Sequence, residues 1–303
     1  MEPKAVEPKT LRIGLYYFLV LSLLFFIFMY WMGSTGNGRR LPKWDEGSFS
    51  GAEQIGLVRI EGVIIGSEEI IKILTRLEED DQIKAILLRI DSPGGAVVPS
   101  QEIYDAVKKI RLSGKKKVVT SMGTVAASGG YYIAAASNYI IANPGTLTGS
   151  LGVIMEMANF EGLMQKIGVE SVTIKSGANK DAGSPFRKMT DAERFLFQNV
   201  LDDVHAQFME AVAEGRSMEM EKVRTLADGR IFTGRQAKEN GLVDGLGNME
   251  DAIAKTASMA GIKGKPDVIE TRENIPFLKM LEGRFLGKMN ASFPMRLNYL
   301  LAF

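Results

Sequence analysis

The stretch GTVAASGGYY, residues 123–132, lies between an apolar, β-rich run (Lys117 to Ser121) and the helix-forming Ile133-Ala134-Ala135-Ala136. A strand turning sharply into a helix is the repeating joint of an α/β fold. The serine at this joint, Ser128, has only small neighbours, so a substrate backbone has room to approach. The helix N-terminus beyond it offers N–H groups and a positive dipole end where an oxyanion would form. Ser128 is therefore a candidate nucleophile. Alone, the stretch would serve equally well as a Gly/Ala-rich packing turn.

Outward from this joint the chain keeps a β/α rhythm. Residues 55–60 read as a strand. Glu68 to Leu77 carries helical spacing at Ile70, Ile71, Ile73, Leu74 and Leu77. KAILLRI, 84–90, reads as a buried strand, followed by Asp91-Ser92-Pro93-Gly94-Gly95. A helix over 101–110 and strands over 117–121 and 139–142 come next. A helix over 160–167 and a further strand over 170–174 follow. The alternation predicts a largely parallel sheet with crossover helices. Beyond it, 190–215 reads as one long helix, with Thr190 as N-cap and Glu193 completing a capping box. A shorter helix, a strand and another helix run through Gly261.

The two ends differ from the middle. Residues 1–12 are a polar tail. Residues 13–32, IGLYYFLVLSLLFFIFMYWM, carry no charge and would span about 30 Å as a helix, the thickness of a bilayer core. Tyr16 and Tyr17 near one end and Tyr30 and Trp31 at the other suit membrane interfaces. No A-x-A-like cleavage site follows, so the run reads as a retained transmembrane anchor. Basic residues flank both sides, and the positive-inside rule hardly decides orientation. Residues 33–53 form a Gly/Ser/Asn-rich linker, and 54–265 the folded domain. In the tail, 266–303, the positions Phe277, Leu278, Leu281, Phe285 and Leu286 fit an amphipathic helix.

Composition narrows the chemistry. A net charge of +1 gives no case for a nucleic-acid partner. With no cysteine there is no disulfide, thiol catalysis or Cys-based metal site. The single histidine, His205, falls inside the long helix beside Asp203, where a surface role is the natural reading. A serine nucleophile still needs a base. Lysine is the alternative, and it must be uncharged, a state that burial beside apolar groups favours. Lys180, in Ser176-Gly177-Ala178-Asn179-Lys180-Asp181, is the candidate, although an ordinary solvated lysine paired with Asp181 would look the same. The glycines of Ser92-Pro93-Gly94-Gly95 let backbone N–H groups turn towards a ligand at a strand C-terminus. A plain β-to-α turn would also use them, and the Gly-Lys-Ser/Thr of a P-loop is missing.

Taken together, Ser-Pro-Gly-Gly, Ala-Ala-Ser-Gly-Gly-Tyr-Tyr-Ile-Ala, Thr-Gly-Ser-Leu-Gly-Val (148–153) and Ser-Gly-x-x-Lys-Asp closely resemble the S49 serine-peptidase family of signal peptide peptidases. The likeness extends over 228–237 (DGRIFTGRQA) and 241–244 (GLVD), and so from about residue 55 to 262. The resemblance implies a ClpP/crotonase-like α/β fold, preceded by one N-terminal transmembrane helix. It implies that Ser128 is the nucleophile, Lys180 the general base, and Ser150 the serine that orients the lysine. Gly95 and Gly129 match the backbone donors of the oxyanion hole. It implies a homo-oligomer, with serine and lysine meeting across neighbouring protomers in short members. The substrates implied are cleaved signal peptides, no cofactor or metal is called for, and the catalytic domain faces away from the cytoplasm at the inner membrane. Two other readings share these residues: a crotonase-like acyl-CoA enzyme using the same glycines, and a catalytically inactive membrane scaffold.

Overall fold

The computed structural model describes residues 53–270 and the strand 297–300. The expected anchor at 13–32, the linker up to residue 52 and the amphipathic positions Phe277 to Leu286 lie outside the described residues. Among the described residues, no helix is long and apolar enough to cross a membrane.

The strands and helices alternate as expected: β1 (Gln54–Glu61), α1 (Glu68–Glu79), β2 (Ile83–Ser92), β3 (Gly94–Ala96), α2 (Val97–Ser113), β4 (Lys117–Ala127), α3 (Gly129–Ala135) and β5 (Tyr139–Ala142). Next come β6 (Leu147–Gly149), β7 (Ile154–Met155), α4 (Glu161–Lys166), α5 (Asp191–Arg216), α6 (Met220–Leu226), β8 (Ile231–Thr233) and α7 (Gly234–Glu239). The order closes with β9 (Gly245–Leu246), α8 (Met249–Ala260), β10 (Asp267–Glu270) and β11 (Leu297–Leu300). The main sheet runs β10-β1-β2-β4-β5-β9, all parallel, and β6 continues it beside the end of β4. Only β8, on β6, is antiparallel in it. Parallel strands joined by helices need both sheet faces covered.

The core shows that covering residue by residue. Ile86, Leu88 and Ile90 of β2 join one apolar cluster with α1, α2, α3 and α5. Leu87, between them in sequence, joins the opposite cluster with Val119, Ala252 and Ala257, under α8. All four β2 side chains are fully buried, each contributing about 1.5–3 kcal/mol relative to exposure. Successive apolar residues on both faces, as over Ala85 to Leu88, are what a strand sandwiched between helical layers requires.

Local signals hold at the element ends. Thr190 and Glu193 form the reciprocal capping box of α5, and Gly114 closes α2 in the left-handed conformation, φ 69°. Helix α2 starts earlier than expected, because Pro99 falls in its first turn, where a missing N–H costs nothing. The strand expected over 170–174 is absent: these residues have no regular structure. Among the described residues no strand pairs with them, and Val172 and Ile174 stand 79% and 96% exposed. The sheet itself runs past the expected domain end at 265, since β10 pairs with β1.

Candidate active site

Strands β4 and β6 end side by side, with Ala127 opposite Gly149. The next residue on each strand is a serine with positive φ: Ser128 at 52° and Ser150 at 51°. Non-glycine residues in this region are uncommon and strained by about 1–3 kcal/mol, and they cluster at functional sites. The strain at Ser128 is held from several directions. Its N–H donates to the Gly149 carbonyl at 2.8 Å, and its own carbonyl accepts from Tyr132 N–H at 2.8 Å. Tyr131 is fully buried and its hydroxyl donates to the Leu242 carbonyl at 2.8 Å. Tyr132 packs between Tyr104, edge-on at 65°, and Phe208, tilted at 54°, each ring centroid 4.9 Å away. Burial pushes the Tyr132 hydroxyl up to about 12, so it stays protonated at neutral pH. The two tyrosines thus anchor the helix that begins at the serine.

Ser128 is completely buried, and its hydroxyl has no hydrogen-bond partner among the described residues. A buried hydroxyl left unbonded costs about 1–3 kcal/mol. Such a group points to a reaction partner supplied from elsewhere.

The two expected oxyanion donors come together. Gly129, as first residue of α3, has an N–H with no acceptor inside the helix. A Cβ added to it would lie 3.3 Å from the Gly95 nitrogen, so the two glycines are in contact. Gly95 is pressed equally close to the chain on its other side. A Cβ there would stand 2.5 Å from the Ile64 nitrogen and nearer still to the Ile64 oxygen. The turn before it is shaped by Ser92, whose hydroxyl donates to the Gly62 carbonyl at 2.6 Å and accepts from Gly94 N–H at 3.1 Å. The Ser-Pro-Gly-Gly stretch is therefore a turn that sets Gly95 between Ile64 and Gly129.

Ser150 stands in register beside Ser128. Its N–H donates to the Arg230 carbonyl at 2.8 Å. It lines a cavity of about 460 Å³ together with Gly152, Ile154, Asp228 and His205. His205 is half-buried rather than on the surface, and its Nε2 has no partner among the described residues.

Lys180 lies apart. It is exposed, in a run of turns where its N–H donates to the Gly177 carbonyl at 3.1 Å. Among the described residues its amine makes no ion pair. Asp181 pairs instead with Lys175 and Arg187, and Arg187 reaches on to Glu193. These contacts hold the Asp181 carboxyl well below its ordinary range, chiefly through Arg187. The Arg187 guanidinium and the Thr190 N–H hold Glu193 down to about 2. Within one chain, then, Ser128, Ser150, Gly95 and Gly129 gather, and the loop bearing Lys180 is fastened to the start of α5.

The stretches 228–237 and 241–244 turn out to support the site. Gly149 could carry no side chain, since its Cβ would lie 2.5 Å from the Phe232 ring. Thr233 and Gln236 form a capping box that starts α7. Asp244 accepts from Arg216 at 2.6 and 3.0 Å and from Ile140 N–H at 2.8 Å, tying α5 to β5. Sequence reasoning did not find the Ile64 contact, the carbonyls of Gly149 and Arg230, or Ser100, whose hydroxyl packs under Gly129. Such backbone groups and distant neighbours leave no signature in residue type. A pair of Gly-Ser or Ser-Gly steps at strand ends was the one available hint.

Comparison with known proteins agrees with this geometry. Residues 110–263 match the model of Peptidase family S49, and residues 65–146 match Clp protease. The chain is 47% identical over 220 residues to a Synechocystis protein named as a putative protease, covering 72% of this chain and 78% of that one. It is 35% identical over 236 residues to the chloroplastic serine protease SPPA of Arabidopsis thaliana, covering 73% of this chain and 35% of that one. It is 35% identical over 217 residues to Protease 4 of Haemophilus influenzae, again 68% of this chain and 35% of the relative. The alignments thus span about a third of the length of these two longer relatives. With half the chain inside the family model and a relative of this closeness matched over most of its length, the protein belongs to peptidase family S49, as a serine-type peptidase of the SppA kind.

Proposed function

We propose that the protein is a membrane-anchored serine endopeptidase that degrades cleaved signal peptides through a Ser–Lys dyad. One observation carries this reading. Ser128 sits buried and unbonded in a strained strand-to-helix turn, directly beside Gly95 and Gly129. Ser128 attacks the peptide carbonyl, and the developing oxyanion takes hydrogen bonds from the N–H groups of Gly95 and Gly129. Lys180 accepts the serine proton and returns it to the leaving amine, and water then hydrolyses the acyl-enzyme. Ser150 orients the lysine amine.

The unbonded Ser128 hydroxyl and the exposed Lys180 amine, which do not bond to one another within the described chain, favour a lysine delivered by a neighbouring protomer. The exposed apolar side chains around the lysine loop, Val169, Val172 and Ile174, together with Phe195 on α5, support self-association. The apolar run 13–32 would tether the domain outside the cytoplasm, where spent signal peptides collect in the bilayer, and tethering raises effective concentration.

The test is cleavage of a synthetic signal peptide by the detergent-solubilised chain. Ser128→Ala and Lys180→Ala should each abolish cleavage while leaving the oligomer intact. Mixing the two inactive variants should restore part of the activity if the dyad forms between protomers. Full activity in Lys180→Ala would overturn the dyad.

A further inference from the structure

Strand β4 does not run unbroken to Ser128. Its first half pairs with β2 in regular parallel register, from Ala85 opposite Lys117 to Ile90 opposite Met122. The next pair is Ser92 with Ala126, so Gly123, Thr124 and Val125 face the single residue Asp91. β4 therefore carries a bulge, a feature uncommon in parallel pairs. Its other edge changes neighbour across the same residues: pairing with β5 ends at Ser121, and pairing with β6 begins at Val125. A strand advances about 3.3 Å per residue, so unbroken register would carry Ser128 roughly 6–7 Å further along, away from its place beside Gly149.

A bulge takes backbone groups out of the ladder, and buried ones need partners elsewhere. Three side chains supply them here. The Met122 carbonyl accepts from the Arg89 guanidinium at 2.9 Å, which also donates to the Ser121 hydroxyl at 2.8 Å. The Gly123 carbonyl accepts from the Thr146 hydroxyl at 2.8 Å. Val125 N–H donates to Asp91 Oδ1 at 3.0 Å. Asp91 lies tight against the bulge. A Cβ on Gly123 would stand 2.6 Å from the Asp91 carboxyl carbon, so the glycine leaves the room that the carboxylate fills. Thr146, 2% exposed, accepts in turn from Asn143 N–H at 3.1 Å, which ties the bulge to the turn between β5 and β6.

We propose that Asp91 and Thr146 are positioning residues for the nucleophile: they hold the bulge from its two edges, and the bulge sets Ser128 beside Gly149, Gly95 and Gly129. The proposal rests on the peptidase reading and deepens it. Neither side chain bonds to Ser128. Their effect passes through the Val125 N–H and the Gly123 carbonyl to the end of β4. Bulges beside active sites re-aim side chains in this way. What Asp91 contributes is an acceptor oxygen rather than its charge, because the group it receives is a backbone N–H. What Thr146 contributes is its hydroxyl. Misplacing a reacting group by about 1 Å costs about 10²-fold in rate. The loss falls on kcat, because the surfaces that hold the rest of the peptide stay where they are.

The test sets Asp91→Ala and Thr146→Val, which remove the acceptor and the hydroxyl, against Asp91→Asn and Thr146→Ser, which keep them. Each is assayed on a synthetic peptide below its own melting temperature. The first pair should lower kcat about 30-fold or more, with KM changed less than about three-fold. The second pair should stay within about three-fold of wild type in both constants. A role in stability alone would lower the melting temperature of the first pair and leave kcat where it was. Hydrogen exchange needs no turnover: the amides of 123–128 should exchange about ten-fold faster or more in Asp91→Ala, and at the wild-type rate in Asp91→Asn. Should Asp91→Ala not fold, Thr146→Val decides from the other edge of the bulge. A folded Asp91→Ala or Thr146→Val with wild-type kcat overturns the proposal. So does an Asp91→Asn as impaired as Asp91→Ala, or exchange that ignores Asp91. If every form, wild type included, is inert to peptides while exchange still follows the acceptor, the peptidase reading fails and the hold on the turn stands.

Discussion

Gly95→Ala probes the donor platform independently of which group acts as base. The added Cβ would stand 2.5 Å from the Ile64 nitrogen and 2.7 Å from its carbonyl carbon, with the oxygen closer still. Ordinary contact needs about 3.4 Å or more, and backbone cannot swing aside as a side-chain tip can. β3 must therefore move off Ile64 by the better part of an ångström. Two backbone hydrogen bonds are then stretched or lost, Ile64 N–H to Gly94 and Ala96 N–H to Ile64. At about 0.5–1.5 kcal/mol each, together with overpacking strain, the expected destabilisation is about 2–4 kcal/mol. For a domain of this size that lowers the melting temperature by roughly 5–15 °C. The same displacement carries the Gly95 N–H away from the developing oxyanion, and loss of one such donor costs about 10²–10³ in kcat. The assay is kcat and KM on a synthetic peptide below the melting temperature of the variant, alongside calorimetry. A folded Gly95→Ala chain with wild-type kcat would refute the placement of the oxyanion hole.

Three further outcomes are expected. Ser128→Gly should melt higher than wild type by several degrees, because it relieves both the positive φ and a buried unbonded hydroxyl, about 1–3 kcal/mol each, less about 1 kcal/mol for glycine's greater freedom when unfolded, while destroying activity. An equal or lower melting temperature would show that the turn is not strained. Arg187 and Thr190 hold the Glu193 carboxyl down to about 2 in the folded chain, against about 4.3 unfolded. Its contribution is therefore full above about pH 4.3 and lost as pH falls through about 2. Hydrogen exchange of residues 176–190 should stay slow to about pH 3 in wild type and be faster at every pH in Glu193→Gln; equal exchange in the two would remove Glu193 as the anchor. Asp244→Ala leaves Arg216, whose side chain is 7% exposed, without its carboxylate. Urea unfolding should show a loss of about 3 kcal/mol, and a loss below about 1 kcal/mol would mean that water replaces the pair.

Much of this was legible in the residues themselves, where the cause is local. KAILLRI announces a strand buried twice over because Ala85 to Leu88 are apolar in succession, on both faces of the strand. Thr190 and Glu193 announce a helix start because the two groups bond reciprocally within one turn. The failed strand at 170–174 shows the other side. Its β-branched residues fit a strand, but a strand exists only with a partner, and none of the described residues pairs with it. His205 was misjudged as a surface residue because helix periodicity gives a face and not what packs against it.

By itself the sequence determined the α/β alternation, the joint at Ser128 and the order of the Gly- and Ser-rich turns, since these follow from propensity, periodicity and the steric freedom of small residues. Only the tertiary structure decided that Ser128 and Ser150 stand in register with left-handed backbones, that Gly95 is wedged against Ile64 beside Gly129, and that the far C-terminal strand lies on β3. Each of these is a meeting of backbone groups distant in sequence. Backbone groups are the same in every residue, so their partners are chosen by packing and register, which no single residue's chemistry encodes.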